Sequence, residues 1–471
     1  MKKILPLSIL ILLGLTACTG VYKHGEFTIS SKTIPLLKGV DKNRTLGFSY
    51  TVPGLNEPFI LSQVWIDLVG SDAIADIAQV SLYAEGVGQQ GKDSLLAATT
   101  QITEKLTLNT NYTFTEPTTH FVVSVLLKDH INIEHKIVTR LEGLKSNRGI
   151  IDAPDMESTT HRYAIPVHQK GMDGVHTARI PGLEMTNEGT LIAVYDARWD
   201  NARDLQGDID IVIKRSTDKG VLWKPMLTVL DMKEWGGLPE KYNGVSDANI
   251  LLDRGTGKIF IFALWMHGVL DPETGEWVEG LTSESTVWNH QWAKNGSKVG
   301  VGLKESSQFM MITSEDDGIT WSEPTNLTPL LKKIEWSLLA PAPGHGITLA
   351  DGTLVVPVQG RDKKGVPFST IMSSKDHGKT WNVGRPASVN TTESMAVELS
   401  DGTVMLNIRD NRNAEANAKI NGRSIFTTTN LGETWQEHPT SRKALIEPLC
   451  MGSIHKHTYT VGEEEKSILL F

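Results

Sequence analysis

An all-β chain is expected, an N-terminal β-sandwich followed by a β-propeller, and three features predict it. First, residues 28–146 form a series of short β-patterned runs with no helical periodicity between them. Second, a box of the form Ser-x-Asp-x-Gly-x-x-Trp occurs at 216–223, 314–321 and 374–381, with a softened copy at 428–435. Third, a hairpin pattern of apolar strand, acidic or glycine turn and second apolar strand recurs upstream of most boxes.

At 471 residues the chain is long enough for two or more domains, and its composition is that of a folded globular protein. The formal net charge of −9 argues against a nucleic-acid surface, so an anionic ligand would have to be drawn in by local arginines.

The chain begins with Lys2 and Lys3, the apolar run ILPLSILILLGL, and then Leu15, Thr16, Ala17 and Cys18. A basic start, a short apolar stretch and small residues read as an export signal. The last four residues resemble a bacterial lipobox, which implies a signal peptide over 1–18 and a lipid on Cys18. No retention signal is evident at Thr19, so the expected location is the bacterial envelope, anchored by lipid alone in the outer membrane and facing periplasm or cell surface. Cys450 would then be the one cysteine without a lipid, and no intrachain disulfide could form.

The sandwich is expected over 22–155, from runs such as RTLGFSYTV, FILSQVWIDLVG and THFVVSVLLKD. Trp65 and Tyr83 leave a carbohydrate-binding platform and an ordinary core role both open. The small and polar segment SNRGIIDAPDMESTTHR reads as the linker, and the propeller occupies 160–471. Each box follows a β-run (IDIVIKR, QFMMIT, FSTIMS, RSIFTT) and so sits at a hairpin. There the Asp can accept backbone N–H bonds, Gly can supply a positive φ and Trp can fold back over the turn. Because the interval from 216 to 314 is the longest, an extra blade with a decayed box is expected around SDANILLDRGTGKIFIFALW.

The stretch 179–218 places Arg179 at a strand start, Arg198 at the end of IAVYDAR and Asp204 in the following polar loop. Two cations and an acid at strand ends suit a small anion whose neighbouring bond is to be protonated and broken. Asp200, Asp208 and Asp210 compete with Asp204 for the acid role, and Glu398 competes with Glu393 further on. His455 and His457 are too sparse for a metal site, the boxes lack the ligand density of a calcium loop, and no cofactor or metal is expected.

RIPG, the YDAR run, DLQGDIDIVIKRSTDKG and the four boxes together resemble the bacterial exo-α-sialidases, from about residue 174 onward. The resemblance implies a six-bladed propeller. It implies further that Arg179 and Arg409 are two members of a carboxylate-gripping arginine triad, and that Arg198 lies near the O4 side of the sugar. Asp204 would be the acid/base, Glu393 the base for a nucleophilic tyrosine, and Asp247 a contact to the O4 or N-acetyl region. Sialic acid carries a carboxylate on its anomeric carbon, which guanidinium groups grip with paired hydrogen bonds and which would repel a carboxylate nucleophile. Sialidases are accordingly an exception to the two-carboxylate scheme. The expected reaction is retaining hydrolysis of terminal sialic acid from glycoproteins, gangliosides or oligosaccharides, and the alternative is a non-catalytic sialoglycan-binding lipoprotein. None of the eight tyrosines stands in the nucleophile's context. The chain is therefore expected to be C-terminally truncated, with the last blade or so, the third arginine and the tyrosine beyond Phe471.

Overall fold

The computed structural model describes residues 25–471 apart from 31, 156, 205–206, 238, 270, 272–277, 279–289, 291–296, 416–419 and 448. Cys18 lies outside the described residues. The chain divides into two compact units, Met1–Pro166 and Val167–Phe471.

The first unit consists of two sheets around one core. One sheet runs Glu26–Ser30, Asn43–Thr51, Thr118–Leu127, Ile77–Ala84 and Ser94–Thr99. The other holds Leu36–Leu37, Thr159–Ala164, Lys136–Ser146, Ile60–Asp67 and Lys105–Thr113 in its main path. Phe48, Phe121, Leu61, Val64 and Leu144 meet between them, as alternation along each strand demands. The segment read as a linker is largely sheet: Gly149–Asp152 and Thr159–Ala164 both pair with Lys136–Ser146. Its polar residues lie on both faces of short strands, with Thr159 and His161 buried and Ile150 exposed. Trp65 and Tyr83 are half-buried, and Tyr83 is capped by Lys42, whose ammonium lies 4.0 Å from the ring centroid.

The second unit is propeller-like and, among the described residues, consists of four four-stranded blades and a final hairpin. The first blade is β1 (Thr177–Met185), β2 (Leu191–Arg198), β3 (Ile209–Ser216) and β4 (Leu227–Leu230). The second is β5 (Asn243–Leu252), β6 (Ile259–His267), β7 (Gln308–Ser314) and β8 (Thr325–Asn326). The third is β9 (Leu338–Pro341), β10 (Leu354–Arg361), β11 (Pro367–Ser374) and β12 (Asn382–Val383). The fourth is β13 (Thr391–Glu398), β14 (Val404–Asp410), β15 (Ser424–Thr428) and β16 (Gln436–Glu437). The hairpin pairs β17 (His455–Val461) with β18 (Glu464–Leu470).

This order corrects one expectation. Strands β5 and β6 carry the SDANILLDRGTGKIFIFALW segment, yet β6 pairs directly with β7, which ends in the Ser314 box. Among the described residues the long interval holds no extra blade with a lost box. It arises because residues 268–307 separate the second and third strands of one blade.

Apolar layers lie between consecutive blades. Ile250 and Ile261 face Ile192, Val194 and Ile211 of the first blade, whereas Leu251, Phe260 and Phe262 face Leu339, Leu354 and Val356 of the third. Adjacent residues of one strand thus feed opposite layers, which is why these strands read as continuous apolar runs.

The boxes share one geometry. The hydroxyl of Ser216, Ser314, Ser374 or Thr428 accepts the N–H of the box glycine at 2.9–3.0 Å. In the same boxes the side-chain oxygen of Asp218, Asp316, Asp376 or Asn430 accepts an N–H four residues on. Positive φ falls on the glycine and on the residue before it, as at Asp317 (62°) and Gly318 (78°). That preceding residue also ties blades together: Asp317 accepts from Arg215 at 2.6 Å, and His377 pairs with Asp253 at 2.8 Å.

Candidate functional site

Local irregularities in the innermost strands generate the site. The register of β1 against β2 shifts between Arg179 and Gly182, that of β5 against β6 between Ser246 and Asn249, and that of β13 against β14 between Thr391 and Ser394. Bulges re-aim side chains, and Arg179, Asp247 and Glu393 each stand at one of them. The backbone strain is visible at Ile180 (φ 54°) and Asp247 (φ 60°), conformations that a β-branched or acidic residue rarely adopts.

The second strand of each blade supplies the rest. Arg198, His267, Arg361 and Asp410 close β2, β6, β10 and β14, opposite Thr177, Asn243, Leu338 and Thr391. Bulged residues and strand ends therefore collect at the same end of every blade.

At that end lies a cavity of about 220 Å³ whose lining includes Asp204, Asp247, Gln359, Arg361, Glu393 and Arg409. Arg409 donates from Nη1 to Glu393 Oε2 at 2.8 Å. Burial works against the arginine's charge, but Glu393 outweighs it and raises the guanidinium's pKa. Asp204 has a side chain 66 % exposed, and its Oδ1 lies 2.6 Å from Arg198 Nη2. Asp247 is buried, and burial together with the charges of Asp196, Asp204 and Glu393 holds its carboxyl well above the usual range.

Two sequence-predicted residues stand elsewhere. Arg179 is exposed and does not line the cavity; it lies opposite Asp196 in the β1–β2 register. Arg198, expected along the sugar, is 1 % exposed and also absent from the lining. Its Nη1 donates to the Ala202 carbonyl at 3.0 Å and its Nη2 to both Asp196 and Asp204, so it holds the Asp204 loop from beneath. The reason is that β2 is covered on both faces: its residues from Ile192 to Arg198 are all buried.

The competing acids have local roles. Asp210 accepts from the Trp199 indole at 2.9 Å, and Glu398 accepts the Ala350 N–H at 3.0 Å. Asp196 and Arg361 are site residues that sequence reasoning passed over. Superposing the second strands AVYDAR, VPVQGR and MLNIRD would have found Arg361, because all three carry an arginine at or next to the strand end.

Residues 180–471 match the BNR repeat-like domain. The chain belongs to the BNR-repeat family. Residues 24–149 of this BNR-repeat protein match the N-terminal domain of BNR-repeat neuraminidase. It is 37 % identical over 337 residues to a sialidase of Bacteroides fragilis (strain YCH46), a match covering 71 % of this chain and 57 % of that one. With a sialidase of Clostridium perfringens it shares 28 % identity over 300 residues, 60 % of this chain and 68 % of that one. Among solved structures it is similar to the Hadza microbial sialidase Hz136, with a TM-score of 0.80, 30 % identity, and coverage of 94 % of this chain and 86 % of that one. The chain thus spans little more than half the length of the Bacteroides relative.

Proposed function

We propose that this protein is an exo-α-sialidase that hydrolyses terminal sialic acids of glycoproteins, gangliosides or oligosaccharides with retention. The observation that carries the reading is the meeting of Arg409, Glu393, Asp204 and Asp247 in one cavity. A guanidinium already charge-paired to one carboxylate is a fixed fork for a second, and the substrate's own carboxylate is the partner it suits. Arg179, which the resemblance to sialidases makes a second carboxylate-gripping arginine, stands at the bulge of β1 outside the cavity's lining.

In this reading Asp204 gives its proton to the glycosidic oxygen as the bond to the anomeric carbon breaks. Glu393 takes the proton of a tyrosine hydroxyl, whose oxygen bonds to that carbon, and Asp204 then deprotonates the water that releases the sugar. No tyrosine is among the described residues lining the cavity. Burial favours the protonated form of Asp247, which can donate a hydrogen bond to the sugar where a carboxylate could not. The similarity to named sialidases supports the same conclusion.

The test is release of fluorophore from a sialoside by the full-length protein. Wild type releases it and Asp204→Asn falls by roughly 100-fold or more; equal rates would remove Asp204 from the acid role, and an inactive wild type would favour a binding function. We further propose that Cys18 carries a lipid anchor, which mass spectrometry of the mature N-terminus would detect.

A further inference from the structure

The guanidinium of Arg198 stands between two carboxylates of different character. Its Nη2 donates to Asp204 Oδ1 at 2.6 Å and to Asp196 Oδ2 at 3.1 Å. Asp204 is exposed in the cavity, whereas the Asp196 side chain is 0 % exposed and does not line it. Burial and the charge of Asp204 push the Asp196 carboxyl up to about 6, against donors that suit its ionised form. Besides Arg198 it accepts the Ser246 hydroxyl at 2.7 Å and the Asp247 N–H at 3.2 Å.

We infer that Asp196 is a positioning residue, the buried counter-ion that holds Arg198 beneath the Asp204 loop and offsets the guanidinium's charge on Asp204. The inference rests on the reading of Asp204 as general acid.

A carboxylic acid in contact with an uncompensated guanidinium ionises readily and has no proton to give at neutral pH. With Asp196 ionised on the same nitrogen, the three groups are neutral overall when Asp204 is protonated and carry one negative charge when it is not. Without Asp196 they carry one positive charge when Asp204 is protonated and none when it is not. The counter-ion therefore moves Asp204 toward its protonated form. The other charges facing this cluster are Glu393 on β13, which acts in the same direction, as Asp247 on β5 does whenever it is ionised, and Arg179 on β1 and Arg409 on β14, which act against it. Substituting Asp196 leaves all four in place and isolates its effect. The proton that Asp204 loses passes to the departing glycosidic oxygen, and the attacking water returns one to it.

The experiment is a ¹³C-carboxyl NMR titration of the full-length protein, with the Asp204 signal assigned by its loss in Asp204→Asn. In Asp196→Asn the Asp204 midpoint falls by about one pH unit or more, and the alkaline limb of kcat/KM on a fluorogenic sialoside moves to lower pH by the same amount. An unchanged or raised midpoint overturns the inference. Ser246→Ala, which removes one donor from Asp196 while leaving Arg198's contacts in place, gives a smaller fall in the same direction. It carries the test alone if Asp196→Asn does not fold, and no shift there overturns the inference. An inactive wild type would remove the sialidase reading, while the titration still decides whether Asp196 governs Asp204.

Discussion

Replacing Arg409 with lysine keeps a positive charge in the cavity but removes the flat fork. In the structure Nη1 is engaged by Glu393 at 2.8 Å, and Nε is buried with no hydrogen-bond partner among the described residues. What remains for a substrate carboxylate is the outer edge of the guanidinium, which can place two parallel N–H bonds on two oxygens. An ammonium that also has to satisfy Glu393 offers one. The substitution thus deletes one charge-assisted hydrogen bond, of about 1.5–3 kcal/mol, which corresponds to a loss of roughly 10- to 150-fold in affinity. Because the carboxylate is held in both ground and transition states, most of the loss should fall on KM and little on kcat. Steady-state kinetics of full-length wild type and Arg409→Lys on a fluorogenic sialoside measure the split, with thermal unfolding as the control for folding. A KM within twofold of wild type, from a variant that unfolds at the wild-type temperature, would refute the role given to Arg409.

Asp210 and Asp316 provide two further tests, of opposite sign in pH. Burial pushes the Asp210 carboxyl up from 3.8 to about 7, so the folded state binds its proton more tightly than the unfolded chain does. Its stabilising contribution is complete below pH 3.8 and is lost as pH rises through about 7. Asp210→Asn, which can still accept from Trp199, should therefore raise the unfolding temperature by roughly 2–4 °C at pH 8 and change it little at pH 4. Asp316, by contrast, is held down to about 2 by the hydroxyl and N–H of Thr320 together with Ser314 and Ile319. Its contribution is present above 3.8 and lost as pH falls through about 2. Asp316→Ala removes these turn bonds and should lower the unfolding temperature by roughly 2–4 °C at pH 7, with the difference from wild type narrowing toward pH 2. A pH-independent difference in either case would contradict the assignment.

Much of the fold could be read in the chain because its signals are local. The boxes identify themselves through residues that bond within a few positions of one another, as Ser314, Asp316 and Gly318 do. Strand alternation marks the layers that Leu251 and Ile250 separately enter. What could not be read depends on pairing between distant segments. Nothing in SDANILLDRGTGKIFIFALW announces that its partner strand begins only at Gln308, so a missing box looked like a missing blade. The segment around Pro154 looked like a linker because its strands are short and half polar. In the site, Glu393 and Arg409 were recognisable as a pair, and they are in contact at 2.8 Å. The burial of Arg198 was hidden because an arginine at a strand end ordinarily points to water; the carboxylates of Asp196 and Asp204 and the Ala202 carbonyl make its burial tolerable. Bulges at Ile180 and Asp247 were invisible for a related reason, since register is a property of two strands and neither sequence carries it alone.

Proton NMR of the full-length protein acting on sialyllactose tests the central claim most directly, because it reads bond cleavage and stereochemistry together. A cavity in which Asp204 protonates the leaving oxygen while Glu393 activates a tyrosine requires two displacements at the anomeric carbon. The α-anomer of sialic acid should therefore appear first and the β-anomer grow only by mutarotation. First appearance of the β-anomer would contradict the double displacement, and an absence of free sialic acid would contradict the enzymatic reading altogether.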